Sequence, residues 1–95
     1  MKKNEYSIKE AFQKMFEEYK MQEKITAVKA VSSWGKVMGP CIEKYTEKIS
    51  VKNRNLHIKL SSSALKQELS FGKQHIISLI NQELNEDFIQ EVYLT

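Results

Sequence analysis

The fold turns on the stretch Ile49-Ser50-Val51-Lys52-Asn53-Arg54-Asn55-Leu56-His57-Ile58-Lys59-Leu60. Ile49 and Val51 alternate with Ser50 and Lys52, and Leu56, Ile58 and Leu60 alternate with His57 and Lys59, the period of two that marks a half-buried strand. Between the two runs Asn53-Arg54-Asn55 supplies turn-prone residues, so the stretch predicts a β-hairpin with one apolar face. The opposite face carries Lys52 and Lys59, with Lys48 and Arg54 near its ends.

Upstream the period changes. Ser7 followed by Glu10 has the spacing of a capping box, in which the hydroxyl accepts from a backbone N–H three residues on and the carboxylate reaches back. Ile8, Phe12, Met15, Phe16 and Tyr19 then recur at three- and four-residue steps, predicting a first helix from about Ile8 to Lys20 with one core-facing stripe. After Gln22-Glu23-Lys24, a second helix carries Ile25, Val28, Val31, Trp34, Val37 and Met38 and ends at Gly39-Pro40, with Ile42 and Tyr45 forming a further short turn. Downstream, Ser61-Ser62-Ser63 offers N-caps for a helix built on Leu65, Leu69, Ile76, Ile80 and Leu84, which Gly72 kinks or divides in two. Asn85-Glu86-Asp87 is a loop, and Phe88 to Leu94 alternates as a last strand. The order is α-α-β-β-α-β, an α+β fold in which helices on one face of a three-stranded sheet bury both stripes. The expected core holds Trp34, Ile49, Val51, Leu56, Ile58, Leu65, Leu69, Ile76 and Ile80.

Composition sets the outer limits. With 95 residues, 41% hydrophobic and 28% charged, the expectation is one folded domain spanning residues 1–95. No apolar run approaches the roughly 20 residues of a membrane span, and the N-terminus lacks a signal-peptide core, which predicts a cytoplasmic protein with no membrane partner. The single cysteine, Cys41, forms no internal disulfide and is expected to be half-buried and inert. The net charge of +3 is unevenly spread: five Lys and five Glu in residues 1–23, ten Lys or Arg against three Glu in 24–73, and four acids with no Lys or Arg in 74–95. The basic middle points to an anionic partner. Lys48, Lys52, Arg54 and Lys59 around the hairpin, with Lys66 and Lys73 on the next helix, are the candidate nucleic-acid-binding residues; a solvated lysine face is the competing explanation. With one arginine in the group, any such binding should be weak, salt-sensitive and independent of base sequence.

Catalytic readings find no support. Gly35, Gly39 and Gly72 are far apart and none opens a phosphate loop. His57, His75 and Cys41 lack metal-ligand spacing, and the serine cluster has no base beside it. Glu86 and Asp87 suit a solvated turn, Trp34 suits the core, and Tyr45 and Tyr93 suit its edge. No catalytic residue, cofactor, metal or small-molecule substrate is expected.

The run Ser62-Ser63-Ala64-Leu65-Lys66-Gln67-Glu68-Leu69, with Lys73 and Ile76-Ile77-Ser78-Leu79-Ile80-Asn81, resembles the signature of the DciA family. Trp34 with Val37-Met38-Gly39 is similar to that family's Trp-containing helix and its closing glycine, and the hairpin falls where the family has one. The short lysine-rich form is most similar to members from the Bacteroidetes group. The resemblance implies a KH-like fold and a non-enzymatic adaptor that binds the DnaB-type replicative helicase and assists its loading on single-stranded DNA. A stand-alone, sequence-independent RNA- or DNA-binding module is the alternative. There is no Gly-x-x-Gly clamp, and the chain ends at Thr95 without the basic extension many members carry. Either the basic hairpin takes the place of that extension, or only the protein contact remains.

Overall fold

A computed structural model describes the backbone of residues 2–95, with side chains from residue 7 onward. The elements are α1 (Lys2–Met38), α2 (Pro40–Lys44), β1 (Thr46–Lys52), β2 (Asn55–Leu60), α3 (Ser63–Ser70), α4 (Lys73–Leu84) and β3 (Glu91–Leu94). Strand order is β1-β2-β3. β1 and β2 form the antiparallel hairpin, with Ile49 opposite Ile58 and Val51 opposite Leu56. β3 adds to the other edge of β2 in parallel, Val92 opposite Leu56 and Leu94 opposite Ile58, after the α3–α4 crossover that a parallel pair requires. This is the α+β arrangement expected, a three-stranded sheet with helices on one face.

Alternation in β2 sends Leu56, Ile58 and Leu60 inward, where they meet Ile76 and Ile80 of α4, Ala30 and Trp34 of α1, and Phe88, Ile89 and Val92. Burying side chains of this size stabilises by roughly 1.5–3 kcal/mol each. Of the expected core, Trp34, Leu56, Ile58, Ile76 and Ile80 are buried, while Ile49, Val51, Leu65 and Leu69 are partly buried against them. The Trp34 indole N–H donates to Thr46 Oγ1 at 3.0 Å, and that hydroxyl donates to the Ile42 carbonyl at 2.8 Å. Among the described residues, no buried side-chain polar atom lacks a partner.

The two N-terminal helices expected are one continuous helix. Gln22, Glu23 and Lys24 are all good helix formers, so nothing at this link breaks the chain, and the helix runs through Ser7 without starting there. Its core-facing side is built from smaller residues than expected. Thr26, Ala30 and Ser33 are buried, whereas Ile25 and Val28 are exposed. The buried hydroxyls donate back along the helix, Thr26 to the Gln22 carbonyl and Ser33 to the Ala30 carbonyl, so they are satisfied without outside partners. Gly39, at φ 91°, ends α1 and lets Pro40 open α2. Ser62 is the N-cap of α3, accepting from the Leu65 N–H at 3.2 Å, and the expected break falls at Gly72. Cys41 is exposed, not half-buried, because α2 buries none of its residues.

The last strand is shorter than the expected Phe88 to Leu94. Phe88 and Ile89 are buried but lie outside the sheet, held by one side chain on α4. Asn81 Oδ1 accepts from the Phe88 and Ile89 N–H groups at 3.2 and 2.7 Å, while Nδ2 donates to the Ile89 carbonyl at 3.0 Å. Asn81→Ala leaves the Ile89 N–H and carbonyl without these partners in a half-buried setting, while the Phe88 N–H keeps the Glu86 carbonyl at 3.0 Å. The expected loss is roughly 2 kcal/mol, read as a lower urea midpoint at unchanged slope. Asn81→Asp keeps the acceptor but sets a carboxylate oxygen against the Ile89 carbonyl and Asp87 Oδ1, so it should also lose stability at neutral pH; equal stability of all three proteins would contradict this role for Asn81.

Candidate nucleic-acid interface

Because β2 sends Leu56, Ile58 and Leu60 to the core, its alternate residues Asn55, His57 and Lys59 face away from the helices. The register places Lys48, Ser50 and Lys52 of β1 opposite Lys59, His57 and Asn55, and Tyr93 of β3 opposite His57. The outer sheet face is therefore a small platform with lysines on its β1 and β2 side and a tyrosine on β3, about 10 Å across. Lys48, Ser50, Lys52, His57, Lys59 and Thr95 line a shallow depression of about 220 Å³ on it.

Lys48 and Lys59 stand directly opposite each other, an unfavourable cross-strand pair on its own. The acid at hand is Glu47, 3.8 Å from the Lys59 ammonium, and both side chains are at least half exposed, so solvent and salt weaken that pair. A phosphate placed between the two lysines would relieve that repulsion. The His57 and Tyr93 rings are stacked, with centroids 5.0 Å apart and planes 18° from parallel. Among the described residues no strand lies beyond β3, so the far face of the Tyr93 ring has no cross-strand neighbour there. A ring with an open face beside cations is what base stacking on a single strand uses.

Of the six candidate lysines and arginine, the structure brings together Lys48, Lys52 and Lys59. Lys66 and Lys73 sit on α3 and α4, whose Leu65, Leu69, Ile76 and Ile80 pack on the helical side of the sheet. Arg54 serves a different end. Its Nε donates to Glu23 Oε1 at 2.8 Å, its Nη2 lies 2.5 Å from the same oxygen and 3.3 Å from the Tyr19 hydroxyl, and the guanidinium stands 5.0 Å from the centre of the Phe88 ring. The hairpin tip is thereby tethered to α1. His57 and Tyr93 were not among the candidates, although the parity of Val92 and Leu94 already puts Tyr93 on the outer face. Among the described residues, no three His, Cys, Asp or Glu are placed to hold a metal ion, and no helix is long and apolar enough to cross a membrane.

The fold and this surface define an α+β domain with one helical side and one open, basic sheet face. The family model described as Dna[CI] antecedent, DciA matches residues 7–94. The chain belongs to this family, which is associated with loading of the DnaB helicase in replication and is not a known enzyme family. No curated protein matches the chain.

The tether has a pH signature. The hydrogen bond from Arg54 holds the Glu23 carboxyl below its ordinary value of 4.5, with the bond from Tyr19 and the charge of Arg54 adding to the effect against partial desolvation. A carboxyl lowered on folding stabilises the fold above its unfolded value and loses that contribution as pH falls through the folded one. Wild type should therefore melt above Glu23→Gln at neutral pH, with the gap closing below pH 4.5. A gap that stays constant from neutral to acid pH would show that the tether does not depend on the charged carboxylate.

Proposed function

We propose that this chain is a non-enzymatic adaptor that binds the DnaB-type replicative helicase and assists its loading by presenting single-stranded DNA on the outer sheet face. The observation that carries the DNA half of this reading is the placement of Lys48, Lys52 and Lys59 beside the stacked His57 and Tyr93 rings. Membership of a helicase-loading family supports the protein half. In this reading the lysines of the sheet face neutralise phosphates, and a base stacks on the open face of Tyr93. Arg54, Lys66 and Lys73 are assigned no DNA contact, since the first is held by Glu23 and the others lie on the helical side.

Two measurements test the two halves separately. In filter binding to an oligodeoxythymidine, affinity should fall with salt at a log–log slope of about −2 for three phosphates, and each Lys→Gln substitution should lower that slope by about 0.7. Tyr93→Ala should weaken binding by roughly 1–3 kcal/mol, whereas Arg54→Ala should lower the melting temperature and leave affinity unchanged. If Arg54→Ala weakens binding and the three lysine variants do not, the DNA site is misplaced. Calorimetric titration of the cognate helicase should give saturable binding that survives charge reversal of Lys48, Lys52 and Lys59. No heat at tens of micromolar overturns the adaptor reading and leaves a stand-alone nucleic-acid module.

A further inference from the structure

The side of α1 that packs on the core does not stop where the core stops. Helix positions recur after five turns, about 18 residues, so Ile8, Phe12, Met15, Phe16 and Tyr19 share one face with Thr26, Ala30, Ser33, Trp34 and Val37. Thr26, Ala30, Ser33 and Trp34 are all buried, but Ile8 is 70%, Phe12 72%, Met15 67%, Phe16 52% and Tyr19 56% exposed. The bulkier half of the stripe lies on the part of the helix that projects from the body, which accounts for the extents of 64 × 21 × 20 Å. Three aromatic and two aliphatic side chains on one uninterrupted strip exceed the scattered single exposures normal on a monomer.

We propose that this projecting half of α1 pairs antiparallel with the same segment of a second copy of the chain. The strip is self-complementary. Ile8 and Tyr19 are equally far from the point midway between Gln13 and Lys14, and so are Phe12 and Met15. A two-fold axis through that point sets Ile8 against Tyr19 of the second copy and Phe12 against its Met15, in the four-three-four spacing that interlocking helices use. At the flanks Lys9 falls beside Phe16 of the second copy and Ala11 beside its Glu18, so no like charges are forced together. Lys9, Lys14 and Lys20 balance Glu10, Glu17 and Glu18, leaving the paired segment neutral.

Direction follows from the body. In each copy the hairpin tip reaches α1 at Tyr19 and Glu23, and the buried stretch of this face begins at Thr26, so parallel helices would bring two bodies into the same space. The antiparallel arrangement sets them at opposite ends. The aromatic rings bury roughly 150–250 Å² each when covered, which puts the total near 1,000 Å², at the lower end of specific interfaces. A small interface of this kind makes a reversible, concentration-dependent pair.

Self-association needs neither helicase nor DNA, so the chain alone tests it. Sedimentation equilibrium from low to hundreds of micromolar should show the mass rising from 11.1 kDa toward twice that value. Phe12→Asp should weaken association at least tenfold without changing the melting temperature at low concentration, and Phe12→Leu should retain it. In a Cys41→Ser background, chains carrying Ala11→Cys and chains carrying Glu18→Cys, when mixed, should cross-link to each other in preference to themselves. A chain that remains at 11.1 kDa throughout overturns the proposal and assigns the strip to a different protein. Cross-links formed mainly between identical variants overturn the antiparallel geometry, and association unaffected by Phe12→Asp overturns the strip as its site.

Discussion

Strand β2 is hydrogen-bonded along both edges, and its alternation decides what each side of the molecule is made of. Leu56, Ile58 and Leu60 anchor the core on which α1 and α4 rest. Asn55, His57 and Lys59 occupy the centre of the outer platform. A slip of one residue in its pairing would turn the apolar set to solvent and the lysine inward, so core and candidate site stand or fall on the same register. Val92 opposite Leu56 and Tyr93 opposite His57 are two consequences of that single alignment.

The hairpin was legible in the sequence because both strands carry their own period and the turn residues sit between them. The division at Gly72 and the capping at Ser62 were legible for the same reason: each is a local preference with few competitors. Long-range partners left no such mark. The role of Arg54 depends on Glu23, 31 residues away, and the burial of Phe88 and Ile89 depends on the amide of Asn81. Nothing near those positions in the chain announces either contact.

Helix α1 shows a different limit. Periodicity identifies which residues share a face, and it did so correctly for Ile8 through Tyr19. It cannot say whether anything lies opposite that face. Sheet and α4 reach only the C-terminal half of α1, where Thr26, Ala30 and Ser33 permit close approach. An apolar stripe written for burial therefore emerges beyond the body uncovered. The candidate site was legible only in part: the lysines were visible by composition, while the neighbourhood of Tyr93 required the parallel pairing of β3, which no local pattern encodes.

Asn53 and Arg54 both occupy the left-handed region, at φ 52° and 65°, where a two-residue hairpin turn of this kind ordinarily takes a glycine second. Arg54 is thus a residue the local backbone disfavours, retained in a place where its guanidinium reaches α1 and Phe88. Engineering the turn toward its statistical consensus would improve the loop and detach it from the helix at the same time. Local optimisation and global cohesion pull in opposite directions at this one position, and a thermostability screen built on turn preferences would choose the wrong residue.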